Sequence, residues 1–132
     1  MTDGRGIPIS IVLAEANVPD YQLFRETIES IAIKRPAPTI RHPQGLNLDK
    51  GYEYEEVEES ARNYGFELHL RRKREKKRKP RRGKARRWMV ERAHSWFNRN
   101  RAVLIRWEKD PENYEAMLRI AAALIAYHAA KQ

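Results

Sequence analysis

The chain opens on Asp3-Gly4-Arg5-Gly6 and runs directly into an apolar stretch, Ile7 to Ala14. An Asp-Gly turn feeding a β-branched run predicts the returning strand of a β-hairpin. The outgoing strand would lie before residue 1, so the pattern predicts a chain that starts partway into a fold. Next comes Asn17-Val18-Pro19-Asp20, with Asp20 as a fitting N-cap and Leu23, Phe24, Ile28 and Ile31 at helical spacing. Pro36, Pro38 and Pro43 make a loop of Arg35 to Gly45. Leu46 to Asp49 alternates as the end of a short buried strand, and Lys50-Gly51-Tyr52 turns the chain. Glu53 to Tyr64 predicts an acidic helix stopped by Gly65, and Phe66 to Leu70 a second alternating strand. After Pro80 and Gly83, helical spacing returns from Arg86 through Met89, Val90, Ala93, Trp96 and Phe97, with a bend near Arg101 before Val103-Leu104-Ile105. Asp110 then caps a last helix over 111–130, with Pro111 in its first turn. Its apolar stripe is Tyr114, Met117, Leu118, Ala121, Leu124, Ile125 and Tyr127. Strands alternating with helices predict an α/β or α+β fold in which helices cover a sheet.

Composition narrows this. At 132 residues the chain suits one folded unit. It has no cysteine, which excludes disulfides, cysteine-ligated zinc and a thiol nucleophile, and fits a reducing compartment. The longest apolar run, Ile120 to Tyr127, falls well short of the roughly 18 residues that span a bilayer, so no membrane partner is expected. MTDGRGIP has neither the basic start nor the apolar core of a signal peptide. The net charge of +9 is concentrated. Residues 71–87 hold 13 basic side chains and one acid, a local charge of +12, while the remaining 14 basic and 17 acidic residues come to −3.

Such a segment predicts a polyanion as partner, most simply nucleic acid. The candidate contacts are Arg71, Arg72, Lys73, Arg74, Lys76, Lys77, Arg78, Lys79, Arg81, Arg82, Lys84 and Arg86. With no aromatic residue inside the run to stack on bases, they predict contact with the phosphate backbone rather than base readout. The competing reading is a solvated, self-repelling loop or a localisation tract.

Two acids stand out by position. Asp49 falls at the C-terminal end of a predicted strand, the edge of an open α/β sheet where ligands bind, and its carboxylate suits a hard cation. The plain alternative is a cap for the following turn. Glu91, within RRWMVERAHSW, is predicted to border the apolar face of its helix, with Val90, Ala93 and Phe97 toward the buried side. Arg87, one turn earlier, is placed for an i, i+4 pair, which could be no more than a surface ion pair. His42, His69, His94 and His128 show no metal-ligand spacing, and there is no nucleophile elbow, P-loop or dinucleotide fingerprint.

Taken in order, DGRGIPI, ANVPD, LDKGYEY, the HLRRK strand end and RRWMVERAHSWFNRNRAVLIRWEK resemble an insertion-sequence DDE transposase of the insertion-sequence-five type. The resemblance covers nearly the whole chain. Its most specific pieces are Leu48-Asp49-Lys50-Gly51-Tyr52 and Val90-Glu91-Arg92-x-x-Ser95-Trp96. It implies an RNase H-like mixed sheet flanked by helices and carrying three acids, with Asp49 the second and Glu91 the third, both metal ligands. Arg87 matches the arginine of the family's extended helix signature. Where that signature has a tyrosine and a lysine, this chain has Lys84 and Asn98, so those roles do not carry over.

The first acid belongs on a strand before the hairpin. Asp3, in the turn, is not that acid, and the resemblance implies a catalytic domain lacking its first strand and most of its second. The implied chemistry is Mg2+-dependent, two-metal cleavage and joining of DNA at transposon ends. It implies a bacterial, cytoplasmic, nucleoid-associated setting and oligomers when active. For this chain it leaves a part of a transposase inactive alone, joined to an upstream-frame product or left as a relic. A second reading is a non-catalytic DNA-binding module that interferes with full-length transposase. A third, a small basic RNA-associated protein, leaves the two motifs unexplained.

Overall fold

A computed structural model of the chain describes residues 1–70 and 88–131. These form seven regular elements in mixed α/β order. They are helix α1 (Phe24–Glu29), strand β1 (Gln44–Leu48), helix α2 (Glu55–Asn63), strand β2 (Phe66–Leu70) and helices α3 (Trp88–Asn98), α4 (Arg101–Ile105) and α5 (Pro111–Ala130). The described residues divide into a sheet unit, 14–29 and 33–70, and a helical unit, 1–13, 30–32 and 88–131.

In the sheet unit, β1, α2 and β2 form a β-α-β crossover, and the strands pair in parallel from Gln44 opposite Phe66 to Leu48 opposite Leu70. Parallel neighbours need such a helical connection because a tight turn cannot reverse the chain twice. The alternation seen in sequence is real: Leu46 is buried, and Phe66, Leu68 and Leu70 are half-buried. Gly45, Asn47, Glu67 and His69 lie on the exposed face. The core is small, made of Phe24, Ile28, Leu46, Val57 and Ala61, with Ala61 fully covered. Helix α2 contributes Val57 and Ala61 one turn apart, so a single stripe of an otherwise acidic helix faces inward.

Gly65 stops α2 in the left-handed region, at φ 75°. A Cβ there would stand 2.5 Å from Pro38 Cγ, so glycine is required by both backbone and space. Asp20 is not the N-cap predicted for the first helix. It is the first residue of a 3-10 turn, Asp20–Leu23, whose N-cap is Pro19 and which leads into α1. Proline has no side-chain acceptor, so the turn starts uncapped.

The helical unit begins with the predicted turn. Asp3 N donates to the Ile7 carbonyl (2.9 Å), Gly6 N to the Asp3 carbonyl (3.0 Å), and Thr2 bridges Pro8 in antiparallel sense. The run Ile7 to Ala14, expected to be a strand, forms no regular strand: beside that isolated bridge, Ile9 N donates to the Met1 carbonyl (3.0 Å) and the Met1 amino group to the Ser10 carbonyl (2.8 Å). Pro8 has no N–H for a ladder, and the Ile9 carbonyl instead accepts from Ala32 N. Buried residues are Gly6, Ile7, Pro8, Ser10, Ala93, Val103, Ala121 and Ile125. The bend near Arg101 is present as the break between α3 and α4 at Asn100.

Asp110 caps α5 as predicted, Oδ1 accepting from Glu112 N at 3.0 Å, with Pro111 in the first turn. The stripe of α5 is narrower than expected. Tyr114, Leu118, Ala121 and Ile125 share the covered face, while Leu124 and Tyr127 are exposed together with Ile120. These last three sit about a third of a turn round the axis, which a list of apolar positions does not separate.

Candidate catalytic acids and nucleic-acid contacts

Asp49 directly follows β1 and precedes the 3-10 turn Lys50–Tyr52, of which it is the N-cap. Its backbone is extended (φ −77°, ψ 166°), and Oδ1 accepts from Lys50 N at 2.8 Å. The capping role and the sheet-edge position are therefore both real: one carboxylate oxygen braces the turn while the exposed group stands at the C-terminal edge of a parallel pair. Leu48 pairs with Leu70, after which the basic run begins in sequence.

Around this edge, sequence reasoning missed two residues. The Tyr52 hydroxyl is held above the ordinary tyrosine range, first by burial and then by the charges of Asp20 and Asp49. The 3-10 turns that carry these groups are fastened by aromatic contacts. Tyr21 stacks on Tyr54 with ring centres 3.9 Å apart, and Phe24 meets Tyr52 edge-on at 6.4 Å. Asp20 thus belongs to the surroundings of Asp49. The available signal was the tyrosine following each acid turn, but the stacking partner lies more than thirty residues away in sequence.

The opposite end of the sheet is latched by Arg35. Its guanidinium lies 4.1 Å from the centre of the Phe66 ring, and it donates to Gln44 Oε1 (2.9 Å) and to the Tyr64 carbonyl (3.1 Å). These contacts tie the starts of both strands together, which fixes by register where β1 ends and Asp49 begins. Tyr64 donates from its hydroxyl to Glu29, which also accepts from Arg25 Nε at 2.9 Å. These two donors, Tyr64 first, hold the Glu29 carboxyl below the usual range, and the tyrosine is correspondingly raised.

Glu91 lies in the first turn of α3 and belongs to the helical unit, whereas Asp49 belongs to the sheet unit. The inward face of α3 is Met89, Ala93, Trp96 and Phe97. Val90, expected on that face, is 51% exposed, and Glu91 is exposed rather than at the border of the apolar face. The reason is that Met89 and Ala93, four apart, set the buried line, which turns Glu91 outward.

The next residue carries the most distinctive geometry on this helix. Arg92 lies over Trp96 (4.4 Å to the ring centre) and near Trp88 (5.7 Å), its neighbours one turn in each direction. Arg92 Nη1 also reaches the Arg5 carbonyl at 3.5 Å. The N-terminal turn packs close to α3 at a second point. Gly6, at φ 84°, would place a Cβ 2.8 Å from the Met89 carbonyl oxygen, so no larger residue fits.

Asp3 is occupied locally. Its Oδ1 accepts from Arg5 N (2.9 Å) and Ile7 N (2.8 Å), and Oδ2 lies 3.6 Å from Arg5 Nε. A carboxylate holding two backbone donors is part of the turn. Arg87 and the twelve basic candidates of 71–86 lie outside the described residues. Among the described residues, no three or more His, Asp or Glu side chains gather as a metal site, and no helix is long and apolar enough to cross a membrane.

Residues 1–126 match the family described as Transposase DDE domain. The chain is also 30% identical over 130 residues to a Burkholderia cepacia protein assigned as the transposase for insertion sequence element IS402. That similarity covers 97% of this chain and 61% of the relative, so the chain spans about three-fifths of the relative's length. No solved structure matches it.

Proposed function

This chain belongs to the Transposase DDE domain family, and from that premise we propose that it serves DNA transposition as part of a metal-dependent transposase with an RNase H-like catalytic domain. The observation that carries the reading is the family match over 1–126 with an acid at each of two fitting places: Asp49 at the C-terminal edge of a parallel strand pair, and Glu91 on the exposed side of a helix. Asp49 and Glu91 would hold Mg2+, for which all-oxygen carboxylate donors are the suitable set. When bound, the metal supplies Lewis-acid polarisation of a DNA phosphate.

The chain's own residues do the positioning. Capping by Asp49 fixes one oxygen and leaves the carboxylate at the surface, where a phosphate can approach. The basic segment 71–87, which follows β2, contacts the DNA backbone and releases counterions from it. Arg87 supports Glu91 from one turn earlier. The first acid of the family is not Asp3, whose carboxylate is held by its turn. With Asp49 and Glu91 as the two assigned acids, the proposal is that the chain by itself binds DNA without cutting it. It works at the bacterial nucleoid, in oligomers with an upstream-frame product or full-length transposase.

The basic segment separately favours a second reading, a non-catalytic DNA-binding protein that interferes with full-length transposase. One gel assay tests both, using duplex DNA bearing insertion-sequence ends with Mg2+ or Mn2+. Salt-sensitive binding without nicking is expected, unchanged in Asp49→Ala and Glu91→Ala. Nicking that disappears in Asp49→Asn would overturn the claim of inactivity, and failure to bind duplex DNA would overturn both readings.

A further inference from the structure

Arg92 is an exposed cation with a built cradle. On α3, Trp88, Arg92 and Trp96 follow at intervals of four, one turn apart on one side of the helix. The guanidinium lies 4.4 Å from the centre of one indole and 5.7 Å from the other. Among the described residues its hydrogen bond is to the Arg5 carbonyl, at the long distance of 3.5 Å. It makes no ion pair among the described residues, although Arg25, Arg62 and Arg119 each pair with a glutamate four residues away. An arginine whose faces are supported by aromatic rings still presents its N–H edge. That edge matches a phosphate in two parallel hydrogen bonds. The rings also hold the side chain in place, so less rotamer entropy is lost on binding.

We propose that Arg92, cradled by Trp88 and Trp96, is a DNA-phosphate contact on the same helix as Glu91, separate from the basic segment 71–87. It deepens the DNA-binding reading given above and rests on it. Glu91 is the preceding residue, about 100° round the helix axis, so the two side chains leave the same turn of α3 in different directions. Trp88, itself 38% exposed, extends the same surface.

The experiment is fluorescence anisotropy of a labelled random-sequence DNA duplex against the full 132-residue chain from low to moderate salt, for the wild type, Arg92→Gln and Arg92→Lys, with thermal melts of each. One lost phosphate contact lowers the slope of log affinity against log salt by about one. Arg92→Gln is expected to show that drop with several-fold weaker binding at low salt, and Arg92→Lys to restore the slope but not all of the affinity. A Gln variant that melts earlier yet keeps the wild-type slope would mean that the ladder only braces α3, overturning the proposal. Should Arg92→Gln fail to fold, a wild-type affinity and slope in Arg92→Lys would overturn it, and a loss of affinity at unchanged slope would support it. If the wild type binds no DNA, this proposal and the reading beneath it fall together; if it binds and Arg92→Gln is indistinguishable, this proposal alone falls.

Discussion

The sheet unit and the helical unit solve the same problem differently: each holds at a defined place one of the two acids proposed to bind metal, Asp49 or Glu91. In the sheet unit, tethers reach far along the sequence. Arg35 joins both strand starts, Tyr64 reaches Glu29, and Gly65 sits against Pro38. Asp49 is then placed by strand register and by its own cap. In the helical unit, two of the buried residues are alanines, Ala93 and Ala121, and eight large apolar side chains stay exposed, against three in the sheet unit. Glu91 is placed by helical phase, by the Trp88–Arg92–Trp96 ladder and by the close approach of Gly6 to Met89. The lesson is that register and long-range tethers make the sheet unit sensitive at its core, while the helical unit is sensitive at caps and close approaches.

The strongest way to break that contrast is Phe24→Ala. Phe24 is buried and meets Tyr52, so its loss should cost about 3–4 kcal/mol. Native-state hydrogen exchange should lose protection first in β1 and β2; equal loss in α5 would show that the two units do not respond separately. Next come the two tight glycines. Gly65→Ala and Gly6→Ala each force a Cβ into an occupied position at positive φ, and each should cost roughly 2 kcal/mol or more in chemical denaturation. A neutral result at Gly6 would remove the close approach as a determinant of α3. Asp110→Ala removes the α5 cap and should cost about 1 kcal/mol, whereas Leu124→Ala, on the exposed side, should change stability by less than about 0.5 kcal/mol. A large loss at Leu124 would show that the outer stripe of α5 is covered.

The smallest effect is a pH dependence. Hydrogen bonds from Tyr64 and Arg25 lower the Glu29 pKa, so its contribution is present above the ordinary glutamate value and is lost as pH falls past its lowered one. Tyr64 is raised by the same bond, so its contribution is present below the ordinary tyrosine value and lost as pH climbs past its raised one. Tyr64→Phe should flatten both limbs of a thermal-stability profile slightly; unchanged limbs would mean that the tether adds nothing.

Local chemistry was legible in the sequence. The strands around Leu46 and Leu68, the Gly65 stop, the Asp110 cap and the Asp3-Gly4 turn all follow from residues within a few positions of one another. So did the placing of Asp49 at a strand end. What sequence did not show depends on contacts across long separations or on helical phase. The Ile7 to Ala14 run looks like a strand, but the Ile9 carbonyl finds its partner at Ala32 and Pro8 offers no donor. Val90 looks like core, yet the phase set by Met89 and Ala93 turns it out. Asp20 looked like a simple cap because nothing near it announces Tyr52, thirty-two residues on.

The central claim is that Asp49 and Glu91 are this chain's metal-binding carboxylates, and Mn2+ paramagnetic broadening in NMR spectra of the full chain tests it most directly. Mn2+ stands in for Mg2+ and broadens the amides nearest to where it binds. Broadening should centre on Leu48 to Gly51 and on Val90 to Arg92, and disappear at each place in Asp49→Asn and Glu91→Gln respectively. Broadening confined to the acidic helix α2, around Glu55 to Glu59, with none at Asp49 or Glu91, would contradict the assignment.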